Sequence, residues 1–402
     1  MKLNHLAMAS NREIFFRNLG LPSASPMAIE IDHASGVYLY DREGKDYIDL
    51  VSGVSVSNVG HLHPKVVGAV NDQLKKYMHL MVYGEVIQSP QTKLAQSLAG
   101  LLPDTLSSVY FVNSGSEAID GALKLAKRFT GRSEIVAFKN AYHGGTHGAL
   151  SILGDETLKY AFRPLLPDVR HIRFNVADDL SYITKKTACV VAETIQAEAG
   201  ILLPSGNFLS ALRARCNETG TLLVIDDIQL GFGRTGTFFS HENFNILPDI
   251  LVLAKAMGGG MPLGAFISSR EIMHSLTFNP ELGHITTFGG HPVSCAAALA
   301  ALNVINGERL FYVASAKGDL FREALSGHRK IKAIRQKGLM LGLDLESNEQ
   351  AARLVSLFIE NGLITDRFLF RPNSFRIAPP LTISESEIRE AISRITASLD
   401  RL

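Results

Sequence analysis

Lys255 closes an apolar run, Ile250-Leu251-Val252-Leu253-Ala254, and stands three residues before Gly258-Gly259-Gly260. The run reads as a buried strand and the glycines as a tight loop. A lysine at such a junction is stripped of water, and desolvation disfavours its charged form. An amine with a lowered pKa attacks carbonyls, which is the requirement for a Schiff base. The ordinary alternative is a lysine that reaches the surface or pairs with an acid. Two further groups share the same setting. Asp226-Asp227 follows the apolar run Leu222-Leu223-Val224-Ile225, and a carboxylate buried there needs a cation or hydrogen-bond donors. Beside a ring nitrogen, Asp226 would hold that nitrogen protonated and make a pyridine an electron sink; otherwise it is a loop cap or a metal ligand. Asn113-Ser114-Gly115-Ser116 follows Ser108-Val109-Tyr110-Phe111-Val112 and opens a helix. Free N–H groups and the helix dipole there suit a phosphate, although an ordinary N-cap has the same residues. No Gly-Lys-Ser/Thr follows, so the turn is not a P-loop.

These groups must be positioned by strand ends. Continuous apolar runs at residues 108–112, 135–138, 188–192, 222–225, 250–253 and 265–267 alternate with helical segments such as 117–130. That pattern predicts a largely parallel sheet buried on both faces. Ligands of such sheets bind in the crevice outside the carboxyl ends of the strands. Upstream, residues 36–50 read as a β-hairpin and 64–77 as a helix begun by Pro64. Residues 1–35 have little periodicity and read as an arm or a small-domain piece. From about residue 308, helices over 310–326, 348–362 and 384–399 alternate with short strands near 331–334 and 339–343, the texture of a smaller α+β unit.

Composition narrows the classes. The 402 residues are 46% hydrophobic and 20% charged with net charge +1, which fits a globular chain and gives no field toward nucleic acid or membrane. Cys189, Cys216 and Cys295 are far apart and without CxxC spacing, so neither a disulfide framework nor a zinc site is indicated, and a reducing, cytoplasmic location is expected. No signal peptide is visible. The longest stretch without Asp, Glu, Lys or Arg, residues 282–307, is interrupted by His284, Gly289, His291 and Pro292 and is no membrane span.

Taken together the motifs resemble class III (ω-amino acid type) pyridoxal-phosphate aminotransferases of fold type I. The resemblance rests on Gly60-His61-Leu62-His63-Pro64, Asn113 to Ala118, Tyr142-His143-Gly144, and Glu193 to Gly200. It continues through Asp226 to Gly236, Leu253 to Ala265, Thr286 to Pro292, and Phe375 to Leu381, in the family's order. The look is closest to acetylornithine, ornithine and 4-aminobutyrate aminotransferases. The resemblance implies a large domain with a mostly parallel seven-stranded sheet sandwiched by helices, at residues 51–293. A smaller α+β domain would be built from both termini, residues 1–50 and 294–402. It implies a homodimer with the site at the interface.

It also implies roles. Lys255 would carry pyridoxal 5′-phosphate covalently and act as the catalytic base. Asp226 would pair with the pyridinium nitrogen, Gln229 would bond the ring hydroxyl, and Tyr142 would stack on the ring with His143 beside it. Gly115 and Ser116 would bind the phosphate, joined by Thr287 of the neighbouring subunit. Arg376 would clamp the carboxylate of 2-oxoglutarate, masked by Glu198 in the other half-reaction. Glu193 and Val54 would face the substrate. Ornithine aminotransferases carry Tyr where Val54 stands, so the donor expected resembles N-acetylornithine or 4-aminobutyrate rather than free ornithine. No metal is expected. The chain departs from the family's usual residues at Thr194, Ala197, Asp227, Leu230, Ile285, Thr286 and His291. Within the same cofactor chemistry, an aminomutase, a decarboxylating transaminase or a pyruvate-dependent ω-transaminase are the alternatives. A nicotinamide-dependent oxidoreductase lacks the required strand–GxGxxG order.

Overall fold

A computed structural model describes residues 9–402 of the chain. Seven strands form its central sheet, in the spatial order Ser108–Val112, Gly264–Ser268, Ile250–Leu253, Leu222–Asp226, Thr187–Ala192, Glu134–Phe138 and Val169–Ile172. All neighbours pair in parallel except Gly264–Ser268, which runs against both of its partners. Alternation along the strands splits the apolar core in two. Leu223, Ile225, Leu251 and Leu253 pack on one face with the helices Phe208–Thr219 and Pro292–Gly307. Val224, Ile250 and Val252 pack on the other with Gly115–Thr130. Burial on both faces is why these strands read as unbroken apolar runs.

Two smaller sheets flank this one. The strands Ile31–Ser35, Tyr38–Asp41 and Asp46–Asp49 form an antiparallel meander, completed by Leu363–Ile364 lying parallel to Asp46–Asp49. Ala333–Gln336, Leu341–Asp344 and Ser374–Ile377 form an antiparallel three-stranded sheet. The long helices of this region run over Leu310–Leu325, Asn348–Glu360 and Glu385–Asp400. Among the described residues no helix is long and apolar enough to cross a membrane.

The structure adds elements that the sequence pattern did not give. Asn11–Asn18 is a helix with a full capping box at Ser10 and Glu13. The edge strand Val169–Ile172 carries Arg170 and His171, so it lacks an apolar run. The strands expected near 331–334 and 339–343 are displaced by about two residues, to Ala333–Gln336 and Leu341–Asp344.

Two buried ionisable side chains tie the sheets together. Arg234 is fully buried; Nη1 donates to the carbonyls of Leu339 (2.9 Å) and Pro379 (2.6 Å), and Nη2 to Asn58 Oδ1 (2.6 Å). It thereby joins the loop after the central strand Leu222–Asp226 to both flanking regions. Asp227 turns away from the strand end into the protein, where both carboxyl oxygens accept from the Ser240 N–H (3.1 and 3.3 Å). Burial, with the Asp226 charge alongside, raises its pKa to about 8.

Arg234→Ala should cost about 4 kcal/mol, because it leaves buried acceptors unpaired and opens a cavity; a denaturant midpoint equal to that of the parent would contradict this. Asp227 gives a pH signature. Its folded-state pKa is raised from 3.8 to about 8. The unfolded chain therefore ionises first, and the penalty on the native state grows from about pH 4 and is complete above pH 8. Asp227→Asn removes that penalty. The gap in urea midpoint between variant and parent should move in favour of the variant from pH 5 to pH 8.5; a gap independent of pH would reject the assignment.

Candidate active site

Carboxyl ends of five parallel strands meet at one edge of the central sheet and deliver the site. Val112 leads to Ser114–Ser116, Phe138 to Tyr142 and His143, Ala192 to Glu193, the strand Leu222–Asp226 ends on Asp226 itself, and Leu253 leads to Lys255. All of these side chains or turns line one cavity of about 520 Å³, together with Glu198 and Gln229. The antiparallel strand closes the wall by close approach: a Cβ on Gly264 would overlap the Ser114 carbonyl.

Lys255 lies at the start of a 3₁₀ turn, Lys255–Gly258, with φ +50°, a left-handed conformation that a lysine adopts only when its surroundings impose it. Burial lowers its pKa; Glu198 and the more distant Asp226 and Glu193 pull it back up, and Arg376 pushes it down further. Asp226 is 4% exposed. Its Oδ1 accepts from Ile228 N (3.0 Å), and its Oδ2 lies 2.7 Å from His143 Nδ1. A carboxylate only accepts, so the proton sits on His143 Nδ1, and the histidine fixes the angle at which Asp226 meets the cavity. Glu193 has its pKa raised well above the usual carboxylate range by burial and by Asp226; only the Ala197 and Tyr142 N–H groups (3.2 and 3.5 Å) hold it. Tyr142 is 37% exposed and forms an open side of the wall.

At the other end of the cavity the helix Gly115–Thr130 begins. Ser114 is its N-cap, accepting from Glu117 N at 3.2 Å, which leaves the N–H groups of Gly115 and Ser116 without a protein partner. Ser116 Oγ accepts from Thr146 N at 2.9 Å and lies 2.7 Å from Thr146 Oγ1. Gly144, at φ +129°, packs so closely on Ser116 that any Cβ there would collide with it.

Arg376, on the strand Ser374–Ile377, is 1% exposed. Its Nη2 donates to Glu198 Oε1 (2.8 Å), its Nε to Asp366 Oδ1 (2.9 Å), and its Nη1 has no partner. Burial works against the guanidinium charge, but the two carboxylates outweigh it and hold the pKa up. Burial likewise works against the Glu198 charge, and Arg376 overcomes it, so that pKa is lowered. Glu198 lines the cavity and Arg376 does not, so the carboxylate stands between the guanidinium and the open space.

The expected residues divide as follows. Lys255, Asp226, Gln229, Tyr142, His143, Gly115, Ser116, Glu193 and Glu198 share the wall. Thr287 is exposed and lies off this cavity. Val54 also stands off the wall, and Val56 lines it instead. The segment Ser52–Ser55 is a left-handed turn, with φ between +48° and +63° at all four residues, which a serine- and valine-containing sequence does not signal. Asp366 was not singled out by the sequence, because it lies outside every motif. Among the described residues there is no group of three or more His, Cys, Asp or Glu side chains placed to hold a metal.

The wall fits pyridoxal phosphate. Unpaired, buried polar atoms remain at Gln229 Oε1 and His143 Nε2, an acid stands at one end, and a free helix N-terminus with a hydroxyl stands at the other. The amine at Lys255 lies on the same wall.

Comparison with known proteins agrees. Residues 21–399 match the family model for class-III aminotransferases. Over 368 residues, 90% of this chain and 92% of its relative, the chain is 38% identical to the acetylornithine aminotransferase of Methanopyrus kandleri. The ornithine aminotransferase of Toxoplasma gondii, whose structure carries pyridoxal phosphate at partial occupancy, superposes with a TM-score of 0.90 at 27% identity, covering 100% of this chain and 97% of that one. An (S)-enantioselective ω-transaminase from Thermomicrobium roseum gives 0.88 at 27% identity over 96% and 97% of the two chains. The chain is a member of the class III aminotransferases, pyridoxal-phosphate-dependent enzymes of fold type I.

Proposed function

We propose that the enzyme moves the terminal amino group of a donor such as N-acetylornithine or 4-aminobutyrate to 2-oxoglutarate. The observation that carries this reading is the carboxylate of Glu198 seated on Arg376 at the cavity wall. An arginine with a free Nη1 and a displaceable anion on Nη2 is a masked carboxylate clamp. It is open to the carboxylate next to the reacting carbon of 2-oxoglutarate or glutamate, and closed when a terminal-amine donor, which has no carboxylate at that carbon, occupies the site. Identity to an acetylornithine aminotransferase supports the donor class. So do Val56 on the wall and an aliphatic residue at 54, which offer no hydrogen-bond partner to a free α-amino group. The resemblance to an ω-transaminase supports a second reading, with pyruvate as acceptor.

Bound pyridoxal phosphate supplies an electron sink for the carbon that bears the amine. Lys255 Nζ would hold the cofactor, and its burial, which lowers the pKa of the amine, suits it to take up the proton from that carbon and give it back. Asp226, angled by His143, would keep a proton on the ring nitrogen. Gln229 would bond the ring hydroxyl, and Tyr142 would cover one face. The N–H groups at Gly115 and Ser116 and the Ser116 hydroxyl would receive the phosphate. Burial, with Asp226 nearby, raises the Glu193 pKa and so disfavours a further charge on the cavity wall.

The assembly we propose is a homodimer. Met81, Ile87, Ile285 and Phe288 are exposed, Ile87 at 91%, and His79 packs on Phe288 at 4.9 Å, so these segments form one apolar surface beside Thr287. Covering it with a second copy would bring Thr287 to the partner's phosphate end. All three cysteines are free and buried, which supports a cytoplasmic location.

Purified protein should absorb in the near-ultraviolet to visible, and a competent amino donor should bleach that band. Lys255→Ala should fold and bind cofactor yet lose turnover by a factor of about 10⁴ or more; parental rates in this variant would defeat the assignment. Arg376→Lys should raise the KM for 2-oxoglutarate at least about tenfold while single-turnover bleaching by the donor stays near parental. Equal efficiency with pyruvate and 2-oxoglutarate in the parent enzyme would instead favour the second reading.

A further inference from the structure

The clamp involves a third charged side chain that the family motifs do not contain. Arg376 Nε donates to Asp366 Oδ1 (2.9 Å), and the Arg376 N–H donates to the Asp366 carbonyl (3.1 Å). Two residues on, the Phe368 ring lies against the guanidinium, 4.7 Å from its carbon to the ring centroid. The next two residues reach the opposite member of the pair. Leu369 N donates to Glu198 Oε2 (3.2 Å) and Phe370 N to the Glu198 carbonyl (3.0 Å). One short segment, residues 366–370, therefore touches both halves of the gate, and touches them unequally.

Arg376 is held at Nε, at its backbone and across its face, none of which a substrate could replace. The Glu198 carboxylate is held by Arg376 Nη2, by Gln229 Nε2 (3.2 Å) and by Leu369 N, and an incoming carboxylate can take over the first. Asp366 also occupies the Nε edge of the guanidinium. That leaves Nη1, unpaired, and Nη2, once Glu198 leaves, as the two donors open to a ligand. The paired charge of Asp366 means that Arg376 attracts a second anion through geometry more than through net charge, which suits a site that must release its acid after every turnover.

We propose, building on the clamp reading above, that Asp366 is a positioning residue: it fixes Arg376 so that opening is a movement of Glu198 alone, and it directs acceptor carboxylates end-on to Nη1 and Nη2. The test uses the cofactor-loaded enzyme and glutarate, a five-carbon dicarboxylate that binds without reacting. Calorimetry should show glutarate bound about tenfold more weakly by Asp366→Ala and within about twofold of parent by Asp366→Asn, whose amide oxygen still accepts from Nε. Phe368→Leu, which keeps Asp366 and removes the ring, should weaken binding about threefold. Donor bleaching in a single turnover should be unchanged in all three, which a general loss of structure would not allow. A crystal structure with glutarate should show Nε still on Asp366 and Glu198 turned away. Parental glutarate affinity in Asp366→Ala, a parallel loss of donor bleaching, or an Arg376 swung off Asp366 overturns the proposal. Arg376→Lys separates the two ideas. If it leaves glutarate affinity intact, the clamp reading itself fails. If it weakens binding while Asp366→Ala does not, only the role of Asp366 fails.

Discussion

Removing water from a lysine amine without stranding charge is the constraint on which this fold depends. A buried ammonium or carboxylate is costly unless it is paired or neutralised. At and behind one cavity wall the chain places Lys255, half-buried, with the buried Asp226, Glu193, Glu198, Arg376 and Asp227. The solution divides them by role. Glu198 and Asp366 share Arg376, and Asp226 is bonded by His143 and a backbone N–H. Glu193 and Asp227 face few donors, and burial together with the Asp226 charge raises the pKa of both, that of Asp227 to about 8. What remains is an amine whose proton is loosely held, beside an acid whose charge is fixed in place.

Such an arrangement needs a scaffold that aims many side chains at one volume, and the parallel sheet supplies it. Each of these strands leaves its site residues at the carboxyl edge. Unusual backbone occurs around the site too: Lys255 and the turn Ser52–Ser55 have positive φ. The turn is pinned by its neighbours, since Ser52 N donates to Asp49 Oδ1 at 2.7 Å and Ser52 Oγ to the Ala378 carbonyl at 2.7 Å. Because Ala378 follows the strand bearing Arg376, cavity mouth and clamp share one support.

Legibility in the sequence follows this division. Strands buried on both faces announce themselves as apolar runs, and motif residues at their ends could be read as chemistry before any coordinates. Features made by contact between distant segments could not. Asp366 lies among ordinary loop residues and gains meaning only because Arg376 folds against it. The link between His143 and Asp226 spans 83 positions, and the turn of Asp227 toward Ser240 leaves no local pattern. Val169–Ile172 escaped because an edge strand with one half-covered face need not be apolar.

The departures from the family's usual residues have a physical location. Thr194 and Asp227 lie behind the wall, where Thr194 Oγ1 meets Ser240 Oγ at 2.7 Å and Ser240 N caps Asp227. Ala197 and Leu230 fall in one small apolar cluster with Phe368, the ring that lies against Arg376. His291 caps the helix Pro292–Gly307 by accepting from Val293 N. None of these side chains faces the ring and phosphate positions of the cavity. Thr286 is different, since its Oγ1 accepts from Asn113 Nδ2 at 2.8 Å and Asn113 lines the cavity. Ala197 and Leu230 pack with Phe368, and through that ring they bear on the Arg376 guanidinium.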